Sequence, residues 1–401
     1  MVNFALLQKR MPSTLPPVVF VFAAFFAALA LAALAIPRII SVALSKNLFD
    51  LPDNSRKVHK NMISNLGGIG IFFAYIVVSS LFVDPIQFPR WTYISSATLI
   101  LFFTGVKDDL VTMTPAKKFF LQAIAAAIVV FFADLRISSF HGLFGVYQLP
   151  VVFSQVFTIV GCIFVTNAFN LIDGIDGLAG SVSAIACLVL GTIFFIDHHY
   201  SESLIALSMG GAVTGFLIFN KPPARIFMGD TGALIIGFTL SVLCILMIEQ
   251  ASLPTAGHRV VHSPVGALLL SLAVLFAPLF DTFRIFAVRI IKGGSPFKAD
   301  RTHLHHYLLD LGLSHGWAVI TILIANAFIL LVAYLLQDVN PHFVILTMTL
   351  VAIGLFGVLF YKRQQRIYPV ARRPSKKPLR RLSRKISKKA EAFLPSKSIS
   401  R

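Results

Sequence analysis

Asn167-Ala-Phe-Asn170-Leu-Ile-Asp173-Gly-Ile-Asp176-Gly177 sets two amides and two carboxylates between apolar runs at 151–166 and 178–196. Each run is close to the roughly 20 residues that carry a helix across a hydrocarbon core. Polar groups between two such runs are costly in lipid unless they pair, hold an ion or line a wet cavity. The stretch therefore predicts an all-α polytopic membrane protein and marks its own polar residues as a candidate site.

The rest of the chain repeats the pattern. Over 401 residues the mean hydropathy is +0.82, with 57% hydrophobic and 13% charged residues. Apolar runs at 18–44, 63–83, 92–106, 119–133, 151–166, 178–196, 203–219, 231–248, 263–290, 317–337 and 342–361 predict about eleven transmembrane helices. The first run is read as a retained helix rather than a signal peptide, because no small-residue cleavage pattern follows it. Pro278, Asp281 and Arg284 inside the ninth run predict a kinked helix with an i,i+3 ion pair.

Lys and Arg orient the chain. The odd-numbered connections hold Lys46, Arg56, Lys57, Lys60, Lys107, Lys117, Lys118, Lys221, Arg225, Lys292, Lys298 and Arg301, whereas the even-numbered ones hold Arg90, Arg136 and Arg259. This puts the odd connections and the C-terminus in the cytoplasm and the N-terminus outside. The net charge of +18 is concentrated after Tyr361, where 15 Lys and Arg face Glu391 alone. Such a tail fits anionic lipid rather than nucleic acid, since no interleaved aromatics are there to stack bases. The expected domains are a transmembrane catalytic domain, 1–362, and a basic tail, 363–401. Cys162, Cys187 and Cys244 lie in apolar runs without Cys-x-x-Cys spacing and imply neither disulfide nor zinc.

Nearly every polar cluster falls on the cytoplasmic side. Asp108-Asp109 sit at the end of the third run, where adjacent carboxylates suit a general base or an ion site. Asn167 and Asn170 add oxygen ligands of the kind magnesium takes beside water and phosphate. In Asn220-Lys-Pro-Pro-Ala-Arg-Ile-Phe227-Met-Gly229-Asp230-Thr231, the glycine beside Asp230 at a helix start predicts backbone N–H groups open to a phosphate. His303, His305 and His306 with Arg301 fit a diphosphate better than zinc, which lacks a clear third ligand here. Carboxylates, magnesium-type ligands and cations gathered on one face describe phosphoryl transfer at a bilayer surface. A secondary transporter would instead need its polar groups near the midplane. The spaced Asp array of a CDP-alcohol phosphotransferase is absent.

These motifs resemble the polyprenyl-phosphate N-acetylhexosamine-1-phosphate transferases. The resemblance covers roughly residues 45–315 and rests on Asp50-Leu-Pro, Arg56-Lys57-Val-His59, Gly67-Gly68, Gly105-Val-Lys-Asp108-Asp109, Asn167 to Gly177, Phe227-Met-Gly-Asp230 and His303-Leu-His305-His306. It implies transfer of a sugar phosphate from a UDP-sugar, UDP-N-acetylglucosamine rather than the pentapeptide-linked muramic acid, onto undecaprenyl phosphate. UMP is released, opening cell-envelope polysaccharide synthesis such as that of lipopolysaccharide, at the cytoplasmic side of a bacterial inner membrane. By the same resemblance Asp108, Asp109, Asp173 and Asp176 form the catalytic set, with Asp108 as base. Asp230 and Asn170 hold magnesium, or manganese in its place. Asn167, Asn220, Phe227, Lys118, Arg301, His303, His305, His306 and Lys60 bind nucleotide, phosphate and sugar, Phe227 by stacking on uracil. The oligomeric state is left open, a homodimer included.

Overall fold

In a computed structural model, residues 16–48, 63–253, 260–295 and 302–367 are described. Each apolar run becomes a helix: α1 (Pro17–Ser45), α2 (Gly67–Phe82), α3 (Arg90–Leu110), α4 (Pro115–Phe132), α5 (Val151–Ile172), α6 (Leu178–Ile196), α7 (Tyr200–Asn220) and α8 (Gly229–Ala251). There follow α9 (Pro264–Val274), α10 (Phe276–Ile291), the short α11 (Leu304–Asp310), α12 (His315–Leu335) and α13 (Pro341–Ile367). Among the described residues the sole strand-like pairing is an isolated bridge between Ser139 and Gln148. One compact unit runs to Gly354 and a second starts at Leu355. Among the described residues eight helices are long and apolar enough to cross a bilayer, and α9 with α10 gives a ninth if the bent pair is one span.

That ninth span is broken by 72°. Pro278 has no N–H to give the Val274 carbonyl, and its ring would collide with it, so the ladder fails where α9 meets α10. The expected pair forms beyond the break, Arg284 Nη2 donating to Asp281 Oδ1 at 2.7 Å.

The helix α8 is the axis of the bundle. It is apolar all round and buried along its apolar window, as befits a helix enclosed by others. The helices α2, α3, α5, α6 and α9 pack on it. In contrast α5 turns Val152, Phe153, Val156 and Val160 outward, and α12 does the same with Ile324, Phe328 and Leu335. Such continuous apolar faces suit hydrocarbon rather than water.

One end of the bundle is closed by polar clasps. Arg90 gives Nη1 and Nη2 to the two Glu249 oxygens at 3.0 and 2.7 Å and Nε to the Ala133 carbonyl at 3.1 Å, joining the start of α3 to the ends of α4 and α8. Gln250 donates to Glu202 at 2.9 Å and so adds the start of α7. The other end of these same helices carries the candidate site.

Candidate active site

The site begins with a close helix crossing. A methyl on Gly105 would stand 2.3 Å from the Thr231 Cα, so only hydrogen there lets α3 approach the start of α8 this closely. One turn on, Asp109 meets the α8 N-terminus. Its Oδ1 accepts from the Asp230 N–H at 2.7 Å, and its Oδ2 from the Thr231 N–H at 3.0 Å and hydroxyl at 2.5 Å. The helix supplies no side-chain cap of its own, so a carboxylate from another helix satisfies its first free donors. Gly229 precedes them with φ +71°, a left-handed backbone that an L side chain adopts only with strain. The expectation that these N–H groups lie open to a phosphate is corrected: Asp109 already occupies them.

Asp108 serves a different set. Its Oδ1 accepts from the Met113 N–H at 2.6 Å, and its Oδ2 pairs with Lys118 Nζ at 2.9 Å. Lys118 also reaches Asp230 Oδ1 at 2.6 Å, and the Asn170 amide nitrogen donates to that same oxygen. The chain Asp108, Lys118, Asp230, Asn170 thus ties α3, α4, α8 and α5 at one end of the bundle.

Asn167 and Asn170 are not in a connection, because α5 continues to Ile172. Asn167 donates to the Ile163 carbonyl at 2.7 Å, within its own helix, and to Gln122 Oε1 at 2.7 Å. Gln122, missed in the sequence, is 1% exposed and lies one turn beyond Lys118 on α4. A lone amide at i+4 from a functional lysine was the available signal.

The turn after α5 holds two unlike carboxylates. Asp173 keeps part of its surface open. Burial, then the charges of Asp230, Asp109 and Asp176, push its carboxyl up to about 7. Asp176 is buried, its Oδ2 accepting from the Ala224 N–H at 3.1 Å with His315 Nδ1 at 3.5 Å. Asn220 is likewise buried, accepting from the Gly177 N–H at 2.9 Å and donating to the Ile226 carbonyl at 2.8 Å. The resemblance places Asp176 in the catalytic set and Asn220 among the substrate-binding residues. In the fold both pin the 221–228 loop to this turn, where buried backbone groups need such partners. His315 joins that wall from the start of α12, a contact no local motif announces.

Phe227 is half-buried at the end of this loop, its backbone bonded to Ser64 and Gly67 at 2.9 and 3.0 Å. The histidines form a row: His303 and His305 stack at 5.5 Å, His305 and His306 lie 4.3 Å apart, and the His305 ring sits where a side chain on Gly174 would be. Burial first, then His306, hold His305 down to about 3, so it is neutral. Lys60, Arg301, the Asp50 to His59 motif and the basic tail from 368 on lie outside the described residues, while 363–367 continue α13. A cavity of about 430 Å³ at the other end, lined by His141, Tyr147, Asp338 and His342, touches none of these groups.

Among the described residues no three His, Cys, Asp or Glu groups stand close enough to cage a metal by themselves. The donor set nonetheless fits magnesium, which takes one or two carboxylates and leaves its other positions to water and substrate phosphate. Asp173 is raised first by burial and then by the Asp230, Asp109 and Asp176 charges, and a divalent cation would relieve the second of these.

Residues 91–248 match Glycosyl transferase family 4. The chain is 29% identical to undecaprenyl-phosphate alpha-N-acetylglucosaminyl 1-phosphate transferase of Yersinia pestis, over 86% of this chain and 92% of that protein. It is 31% identical to the protein of the same name in Escherichia coli K12, over 79% and 84%. To a probable undecaprenyl-phosphate N-acetylglucosaminyl 1-phosphate transferase of Bacillus subtilis it is 28% identical, over 75% and 80%.

Proposed function

Because the chain belongs to glycosyl transferase family 4, we propose that it transfers N-acetylglucosamine-1-phosphate from UDP-N-acetylglucosamine to undecaprenyl phosphate, releasing UMP. The reaction takes place at the cytoplasmic face of a bacterial inner membrane, a side supported by the Lys and Arg bias of the connections. One observation carries the reading: Asp108, Lys118, Asp230 and Asn170 are linked across four helix ends at one face of an apolar bundle.

A lipid phosphate oxygen attacks the β-phosphorus, a new P–O bond forms, and the bond to the bridging oxygen breaks as UMP departs. The monoester has a second pKa of about 6, so near neutrality Asp108 has only to take up a residual proton. Repulsion between nucleophile and diphosphate is the larger obstacle. Lys118 stands between Asp108 and Asp230 and offsets it where the two phosphates meet. Magnesium, held by Asp230 with Asn170 beside it, would neutralise diphosphate charge. Asp109 positions Asp230 through the α8 cap, Asp176 and Asn220 hold the loop, and Phe227 offers its ring to uracil. His303 and His306 lie over the sugar diphosphate, with His305 a neutral wedge against the Asp173 turn.

The test is UMP release by purified protein given magnesium, polyprenyl phosphate and a panel of UDP-sugars. Turnover is expected with UDP-N-acetylglucosamine, and no release with any sugar overturns the reading.

A further inference from the structure

Asp281 lies on α10, six residues past the break at Leu275, and is 3% exposed. Its Oδ1 accepts from Arg284 Nη2 at 2.7 Å and from the Leu304 N–H at 3.0 Å, while its Oδ2 faces His303 Nδ1 at 2.9 Å. Arg284 holds this arrangement from behind, donating to the Thr302 carbonyl with its guanidinium 5.4 Å over the Tyr307 ring. A carboxylate beside a guanidinium has acceptor positions only, so His303 Nδ1 must carry the proton in this contact. Nε2 is then the acceptor in the neutral ring, and it is the atom that takes any second proton.

We infer that Asp281 is a positioning residue of the transferase: through Nδ1 it fixes the ring and tautomer of His303 so that Nε2 addresses the sugar diphosphate. The inference rests on the reading of the site given above. The bland alternative is a buried ion pair that anchors α11. Within its own helix, however, Asp281 finds a partner for Oδ1 alone, in Arg284. The second oxygen is spent on a histidine 22 residues away, whose ring stacks on His305 and through it meets the Asp173 turn. The bend between α9 and α10 delivers Asp281 to the first turn of α11, where both the ring nitrogen and the Leu304 N–H are within its reach.

Asp281→Asn separates the two roles. The asparagine oxygen can serve Arg284 and Leu304, which both donate, and this turns its NH2 toward His303. Nδ1 must then accept, the proton moves to Nε2, and the ring is held in the wrong tautomer at nearly unchanged volume. The experiment is a double-mutant cycle on the full chain in detergent with magnesium, reading UMP release. Asp281→Asn is expected to lower kcat at least tenfold with KM for the UDP-sugar within threefold. The same change made on His303→Ala is expected to cost less than twofold. Equal losses in the two backgrounds overturn the inference, as does turnover of Asp281→Asn within threefold of wild type. Should that variant not fold, Asp281→Glu keeps the charge and displaces it by one methylene. Its loss must likewise vanish on His303→Ala, and persistence there overturns the inference. A wild-type protein inactive with every UDP-sugar would sink the transferase reading itself, an outcome distinct from additive losses.

Discussion

Asp108 and Asp109 are neighbours in sequence, yet their oxygens do different work, and two substitutions separate them. Asp108→Asn removes a proton acceptor while the amide can still meet the Met113 N–H. It is expected to lower kcat at least tenfold, about 1.4 kcal/mol of barrier, and to lower the thermal midpoint as well, because the part-buried Lys118 ammonium loses the carboxylate 2.9 Å from it. Turnover within threefold of wild type would remove Asp108 as base. Asp173 gives a prediction in pH. Its folded carboxyl titrates at about 7 against about 3.9 in the unfolded chain, so between those values the folded state binds the extra proton. Stability therefore falls as pH rises through that window, and the loss is complete above 7. Asp173→Asn should raise the metal-free thermal midpoint relative to wild type at pH 8 and leave the difference near zero at pH 4. An equal gain at both pH values would assign the effect to packing. Residue types were legible at this scale, and partners were not: nothing local to Asp176 points to Ala224 or His315, which only the folded loop brings to it.

At the scale of elements, the capping of α8 from α3 decides how firmly Asp230 is held. Asp109→Ala strands the Asp230 and Thr231 N–H groups at a crossing too tight for a bulky substitute, a cost of about 1–3 kcal/mol. The thermal midpoint and kcat are expected to fall together, because the helix end that frays carries Asp230. Loss of activity at an unchanged midpoint would instead point to chemistry at Asp109 itself. The sequence predicted a helix starting near Asp230 but assigned its free donors to substrate. Local reading cannot see a cap supplied from 121 residues earlier. It also stopped the fifth run at 166, because amides usually leave a helix; here Asn167 bonds to Ile163 and Gln122, and α5 runs on. The Asp281 and Arg284 pair was legible because an i,i+3 contact needs only the helix itself.

At the largest scale, the compact unit that runs to Gly354 separates two polar ends across an apolar middle. Breaking the clasp at the far end should therefore cost stability and spare chemistry. Arg90→Met leaves Glu249 without its guanidinium, a loss between the about 1 kcal/mol of exposed pairs and the about 3 kcal/mol of buried ones. It is expected to lower the thermal midpoint while kcat and KM at permissive temperature stay within twofold. A large change in KM would mean that the two ends communicate. Chelation with EDTA is expected to abolish UMP release, and added magnesium to restore it; release that survives chelation would remove the metal from the reaction. The eleven apolar runs each correspond to a helix or to the broken pair, because hydropathy over some 20 residues is a one-dimensional signal that bilayer thickness sets. The order of packing around α8 has no such signal, since buried apolar faces look alike in sequence.

The length of α8 has a consequence for where substrates must stand. Its 23 residues span about 35 Å at about 1.5 Å each, a little more than the roughly 30 Å of hydrocarbon. Fastened by Asp109 at one tip and, through its own Glu249, by Arg90 near the other, it is of a length to work as a gauge rod between two leaflets. A helix of that length crossing upright carries Asp230 to about headgroup depth. A phosphate tethered to a long isoprenoid tail already travels in that layer, so it can reach the site by lateral diffusion alone, without lifting its tail from the bilayer.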